Sequence, residues 1–234
     1  MKAVILAGGL GMRLRPFTEV LPKPLLPIGD RSILEHQIAS LQTAGVTDVY
    51  VATNYKSDVI EAYLGDGSKY GLRIHFSRES VPLGTAGPVR LLESDLQDPF
   101  LVMNGDILTK LDFRSLYDFA VNSDSLLTVG TKIITTPFRF GNVVADEHGH
   151  VLGVDEKPDF HLEILAGIYC MKPGVMQFIP KDAYFGMDML IKAMLAAGAP
   201  ITRFLIHDYW LDIGQVEDYT QAREQFEKNF ASGR

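Results

Sequence analysis

Three glycines within four positions, Gly8-Gly9-Leu10-Gly11, are followed by Arg13 and Arg15 and then by Lys23, which sits between Pro22 and Pro24. Glycines leave successive backbone N–H groups uncovered, which makes a cradle for phosphate oxygens. The two guanidinium groups and the ammonium, held on a proline-stiffened loop, add fixed positive charge beside that cradle. Such a grouping fits a polyphosphate better than a neutral ligand. A dinucleotide fingerprint is excluded by spacing, because Leu14 stands where its third glycine belongs. A carboxylate, Asp106, follows the apolar run Phe100–Met103 through Asn104 and Gly105, with the glycine clearing space around it.

From Gly8 to Pro27 the chain resembles the signature of the sugar-1-phosphate nucleotidylyltransferases, the nucleotide-sugar pyrophosphorylases. That pattern reads Gly-Gly-x-Gly-Thr-Arg-Leu-x-Pro-x-Thr and then Pro-Lys-Pro-Leu-x-Pro. One position departs: Met12 replaces the usual Thr or Ser, which removes a hydroxyl contact but leaves the backbone cradle intact. The resemblance implies attack by a sugar-phosphate oxygen on the α-phosphorus of a nucleoside triphosphate, with pyrophosphate leaving. Both reactants are anions, so alignment and charge neutralisation dominate. Magnesium is the expected cofactor, held by one or two carboxylates with phosphate oxygens and water. Asp106 matches the family's Gly-Asp, and Asp212 its Trp-x-Asp-x-Gly in Trp210-Leu-Asp212-Ile-Gly214. Arg13 and Lys23 match its triphosphate arginine and Pro-Lys-Pro lysine, and Arg13, Lys23 and Asp106 form the implied catalytic set. Arg15 falls at a variable position and is left out.

The nucleotide site implied by the resemblance comprises Leu6, Ala7, Gly8, Gly9, Gly11, Met12, Arg13 and Lys23, with Asn104 and Gly105. Glu79, Pro82, Gly84 and Thr85 enter it from a base-recognition loop, Glu79 to Gly87, in which Gly84 and Gly87 let backbone approach the base. Glu79 favours guanine, which offers adjacent N1–H and N2–H donors to a carboxylate; uracil and thymine offer N3–H between two carbonyls. On the sugar side, Glu156-Lys157-Pro158 resembles the family turn whose glutamate meets sugar hydroxyls and whose lysine meets the sugar phosphate. Gly141, Ala166 and Gly167 match backbone contacts to the sugar. Leu165 replaces a polar residue there, which bears on the choice of sugar.

These residues need a scaffold that brings strand ends together. Strands are expected at Lys2–Ala7, Asp48–Thr53, Leu72–Ser77 and Phe100–Met103. They alternate with helices at Ser32–Ala44, opened by a Ser32/Glu35 capping box, at 57–64 and at Thr85–Ser94. The rhythm predicts an α/β fold with a Rossmann-like, mostly parallel sheet sandwiched by helices, which collects ligands at the strands' carboxyl ends. From about Phe138 the pattern becomes a mixed-strand excursion: Asn142–Ala145, Val151–Glu156 and Ile164–Met171. Helices at Val175–Ile179 and Asp188–Ala197 follow, then a strand pair near 201–206 and 209–211 and a closing helix from Val216. The expectation is one domain over 1–234, with a nucleotide half at about 1–135 and a smaller, mixed-strand sugar-binding half at about 136–234.

The 234 residues are 47% hydrophobic and 22% charged, ordinary for a globular chain. A net charge of −7 excludes a general nucleic-acid binder, though not a nucleotide site with local cations. Cys170, the one cysteine, lies in an apolar run and reads as a buried, inert thiol. No stretch has membrane-spanning length and no signal peptide is recognisable, so a reducing, cytoplasmic setting without membrane partners is expected. A homo-oligomer stays open, and the six histidines show no ligand spacing. The resemblance points to short guanylyltransferases acting on mannose, heptose or glucosamine 1-phosphate, whose length leaves no room for a β-helix domain. The same transfer from UTP or dTTP, cytidylyl or uridylyl transfer to another phosphorylated acceptor, and an inactive nucleotide-sugar-sensing subunit are the alternatives.

Overall fold

The first strand is apolar from Ala3 to Leu6, which suits its cover on both faces. In the computed structural model, which describes residues 1–230, β1 (Lys2–Leu6) sends Ala3 and Ile5 into one apolar layer and Val4 into the other. Alternation of side chains along a strand makes this division. The sheet containing β1 has six further strands: β2 (Asp48–Thr53), β3 (Arg73–Arg78), β4 (Phe100–Asn104), β5 (Leu127–Pro137), β6 (Asp159–Met171) and β7 (Ile201–Leu205). Their order is β7-β5-β6-β4-β1-β2-β3. The pairs β4–β1, β1–β2, β2–β3 and β5–β7 are parallel, whereas β6 runs antiparallel to both its neighbours. The α/β, mostly parallel architecture is therefore as expected.

Helices α1 (Ile33–Thr43), α2 (Ser57–Leu64) and α3 (Phe113–Asn122) are joined by α4 (Met187–Ala196) and α5 (Val216–Phe230). The capping box of α1 is present in full: the Glu35 amide donates to Ser32 Oγ (3.2 Å) and the Ser32 amide to Glu35 Oε2 (2.9 Å). Leu34, Ile38 and Leu41 of α1 and Phe113 and Leu116 of α3 cover one sheet face, and Leu190 and Met194 of α4 the other. A third cluster, including Leu14, Ile28, Leu108, Ile213 and Tyr219, gathers residues next to Arg13 and Asp212.

Several elements differ from expectation. Strand β5 and helix α3 were not anticipated, and β6 is longer than its expected Ile164–Met171 core. The helix expected at Thr85–Ser94 is reduced to Gly87–Arg90, and turns follow it. Pro173–Phe178 is a 3-10 segment. The two strands expected to pair near residues 201–211 belong to different sheets: β7 joins the main sheet, and Trp210–Asp212 pairs with Ile107–Thr109. Asn142–Ala145 and Val151–Asp155 form a separate antiparallel ribbon, mostly exposed.

Candidate active site

Four parallel strands end on one side of the sheet, and each delivers a site residue. β1 ends at Leu6 and runs into Ala7, Gly8 and Gly9. β2 leads to Asn54, β3 to Glu79, and β4 to Gly105 and Asp106. The register aligns Leu6 with Asn104, and the Gly105 amide donates to Leu6 O (2.9 Å). A Cβ on Gly105 would lie 2.8 Å from Leu6 O, so only glycine permits this close crossing. The strand ends enclose a cleft of about 390 Å³ reached by Gly8, Gly9, Asn54, Glu79, Asn104 and Asp106. Pro82, Gly84 and Thr85 of the expected base loop also line it.

At one end of the cleft stand the cations and carboxylates. Lys23 begins a 3-10 turn between its two prolines and is almost wholly buried, with Nζ 2.5 Å from Asp106 Oδ2. The other oxygen, Oδ1 of Asp106, is buried without a protein partner. An orphaned carboxylate oxygen in a phosphate-sized cleft is the kind of acceptor a hard cation takes. Pairing of Asp212 with Ile107, together with the Ile213 amide donating to Asp106 O (3.0 Å), brings the second carboxylate alongside. Desolvation in the cleft, and secondly the charge of Asp106, push Asp212 up to about 6. Among the described residues no cluster of three or more His, Cys, Asp or Glu could hold a metal by itself. Two carboxylates nevertheless match the way magnesium is held when phosphates and water supply the rest.

Arg13 reaches the same place. A Cβ built on Gly214 would be 3.7 Å from both Arg13 Nη2 and Asp212 Oδ1, and 3.4 Å from Asp218 Oδ2. Gly11 supplies the left-handed turn (φ 62°) that starts the Arg13 segment, and a side chain there would strike Thr18 at 2.8 Å. Met12 and Arg15 are exposed.

Three comparisons with known proteins bear on this arrangement. A sequence model of nucleotidyl transferases matches residues 2–229. The chain belongs to this nucleotidyl transferase family. A mannose-1-phosphate guanyltransferase of Aspergillus fumigatus is 39% identical over 228 residues, covering 94% of this chain and 62% of its own length. A probable mannose-1-phosphate guanylyltransferase 1 of Oryza sativa is 37% identical, with 94% and 63% covered. The chain thus spans less than two thirds of these relatives. Among solved structures, HddC from Yersinia pseudotuberculosis superposes with a TM-score of 0.73 at 29% identity, over 96% of this chain and 99% of that one. A thymidylyltransferase-like structure from Bacillus anthracis, at 24% identity and a TM-score of 0.81, shares the fold.

The loop from Glu79 to Gly87 is held from within. Glu79 is half-buried; burial raises its carboxyl above the usual range, opposed by the Leu83 amide, which donates to Oε2 (2.8 Å). The other oxygen, Oε1, lies so close to Gly8 that a Cβ there would be 2.9 Å away. Thr85 Oγ1 accepts from the Met187 amide (2.8 Å) and so caps the start of α4. Room at Gly84 is filled by Phe185 O, 2.7 Å from a built Cβ.

The residues implied for the sugar fall in two places. Gly167 (φ 67°) abuts Asn104, whose Nδ2 would be 2.6 Å from a Cβ on it, and Ala166 O accepts from Trp210 Nε1 (2.8 Å). Ala166 and Gly167 therefore join the strand end that carries Asp106. Gly141 and Glu156 sit together on the exposed ribbon, with Glu156 Oε2 3.0 Å from a Cβ built on Gly141. Lys157 follows at the ribbon's end with φ 50°. Leu165 is exposed.

Sequence reasoning missed three supports of the site. Gln37, on α1 and buried, donates Nε2 to both Asn104 O (2.9 Å) and Ile107 O (2.8 Å), clamping the turn that holds Asp106. No local signal marks it, since those acceptors lie 67 and 70 residues away. Asp218 accepts from the Gly214 and Gln215 amides (3.0 and 2.8 Å), fixing the loop after Asp212. Its place in the first turn of α5 is a legible capping signal. Asn54 follows β2, so the rule that ligands meet strand ends would have found it.

Proposed function

We propose that this chain transfers a nucleoside monophosphate, GMP in the first instance, from its triphosphate to a sugar 1-phosphate, releasing pyrophosphate. The observation that carries the reading is Asp106. Its one oxygen is paired to buried Lys23 and the other is orphaned, beside Asp212 and at the end of a glycine-walled cleft.

In the proposed reaction a phosphate oxygen of the sugar phosphate forms a bond to the α-phosphorus. The bond from that phosphorus to the bridging oxygen breaks, and its electron pair leaves on pyrophosphate. The backbone around Gly8, Gly9 and Gly11 receives the phosphates, and Arg13 counters charge on the transferring group with a fork that spans two oxygens. Lys23 holds Asp106 in place and sets a positive charge where two anions must meet. Magnesium, when bound between Asp106 and Asp212, would neutralise phosphate charge as a Lewis acid. Glu156 and Lys157 take the sugar and its phosphate, with Gly141, Ala166 and Gly167 giving backbone contacts.

Guanine is the preferred base in this reading. Glu79 lines the nucleotide cleft, and Oε1 keeps its acceptor sites while Oε2 is steadied by Leu83. The names of the Aspergillus and Oryza relatives support the same base and mannose 1-phosphate as the acceptor.

Pyrophosphate release measured over the four triphosphates against mannose, heptose, glucose and glucosamine 1-phosphates tests the proposal. GTP should give the highest kcat/KM, and Glu79→Gln should narrow its lead over UTP and dTTP, because an amide also donates. A wild-type preference for UTP or dTTP would overturn the guanine assignment. Absence of turnover with every pair would overturn the reaction.

A further inference from the structure

An exposed aromatic ring stands at the rim of the cleft. Tyr184 is 65% exposed and lines the cleft with Glu79, Pro82, Gly84 and Pro88. A tyrosine left in water contributes nothing to the core, and its ring extends the apolar lining that Leu6, Leu10, Pro82 and Pro88 give the cleft, the surface a planar ligand covers.

Its position is fixed by backbone. The Phe185 amide donates to Leu83 O (2.9 Å), and Phe185 O accepts from the amides of Ala86 (2.9 Å) and Gly87 (3.0 Å). The Met187 amide adds a bond to Thr85 Oγ1 (2.8 Å). Gly84 and Gly87 make this docking sterically feasible. A Cβ on Gly84 would be 2.7 Å from Phe185 O, and one on Gly87 would be 3.1 Å from Ala183 O. Residues 183–187 are therefore seated against the Leu83–Gly87 loop, with Tyr184 between two residues that make these close contacts. The segment holds its backbone rigid and leaves one side chain to the cleft.

We propose that Tyr184 is the platform on which the purine base of the triphosphate stacks, a base-binding and specificity-determining residue that acts alongside Glu79. The proposal rests on the nucleotidyl-transfer reading and deepens it. A carboxylate reads the edge of a base and cannot hold its face. A tyrosine ring supplies a rigid π surface at low entropic cost, and a purine covers more of it than a pyrimidine does. The two residues would divide recognition between edge and face.

The test is calorimetric titration of GTP and of UTP, with magnesium and without sugar phosphate, onto the full chain and its Tyr184→Ala and Tyr184→Phe variants. Tyr184→Ala should weaken GTP about tenfold and UTP by about threefold or less, while Tyr184→Phe stays within about twofold of wild type for both. In steady state Tyr184→Ala should raise KM for GTP, with KM for the sugar phosphate and kcat little changed. Because the ring is exposed, the thermal midpoint should stay within a degree or two. GTP binding within about twofold of wild type by Tyr184→Ala would overturn the proposal and leave the reaction standing. So would equal losses for GTP and UTP, or a Tyr184→Phe variant as weak as Tyr184→Ala. A wild-type chain that bound no triphosphate would overturn both readings together.

Discussion

Replacing Asp212 with asparagine should make the ligand-free protein more stable while removing its activity. The carboxyl sits at about 6 instead of its ordinary 3.8, through desolvation first and the nearby Asp106 charge second. A gap of about two pH units corresponds to a ceiling of about 3 kcal/mol. Asp212 keeps solvent contact in the open cleft, so screening brings the expected gain to roughly 1 kcal/mol. For a chain of this size that is a rise of about 2–4 °C in the thermal midpoint. The pH dependence follows from the direction of the displacement. The native carboxyl takes up its proton near 6, whereas the unfolded one waits until about 3.8, so between those values the native state binds more protons. Wild-type stability therefore gains as pH falls through that window. The advantage of Asp212→Asn should be full above about pH 6 and fade towards pH 4. Calorimetric unfolding in chelator, at about pH 8 and about pH 4, reads both ends. A variant no more stable than wild type at the upper pH, or a gap that persists at the lower one, would refute the claim that the fold stores electrostatic strain at this carboxylate.

Three further outcomes probe the surrounding groups. Asp106→Asn, which keeps shape and loses charge, should abolish turnover and free Lys23 from its ion pair; undiminished activity at saturating magnesium would remove Asp106 from the site. Gln37→Glu should turn two donors into a carboxylate facing two carbonyls. A loss of about 1–3 kcal/mol in stability and at least about tenfold in kcat is expected, and unchanged kcat would show that the clamp does not position Asp106. Arg13→Ala should depress kcat, whereas Lys157→Ala should raise KM for the sugar phosphate more than KM for the nucleotide. The reverse pattern in a steady-state matrix would contradict the division of the cleft into two halves.

The legible part of the site is the part written locally. Gly8 to Pro27 is one contiguous segment, and the end of a buried strand at Met103 points directly to Asp106 as a residue at a ligand-collecting edge. The capping box at Ser32 and Glu35 placed α1 correctly for the same reason, since both partners lie within one turn. Gln37 has no such signature, because its function is defined by carbonyls on β4 and just beyond it, which sequence spacing cannot bring near. Strand β5 has no single sequence signature because its two ends lie in different surroundings. Leu127 to Thr131 are buried and read as a core run, whereas the outer half is largely exposed, so no single period covers it. Helix α3 has a legible start and face: Asp112 accepts from the Arg114 and Ser115 amides, and Phe113, Leu116 and Ala120 share its buried face.

The glycines show where local reading reaches its limit. A glycine in a loop declares that something comes close, without saying what. At Gly105 the neighbour is Leu6 O, on the strand that leads into the glycine loop, and the expected clearance around Asp106 is met by a backbone crossing. At Gly84 and Gly87 the group a side chain would meet is backbone, Phe185 O and Ala183 O, while Gly84 also lines the cleft. The residue type was informative in each case, but the identity of the approaching group depended on tertiary structure. In the proposed reading, the segment that these glycines seat joins them in recognising the base. That seating is why the aromatic ring at Tyr184, one hundred residues beyond Gly84 in sequence, enters the cleft beside Glu79.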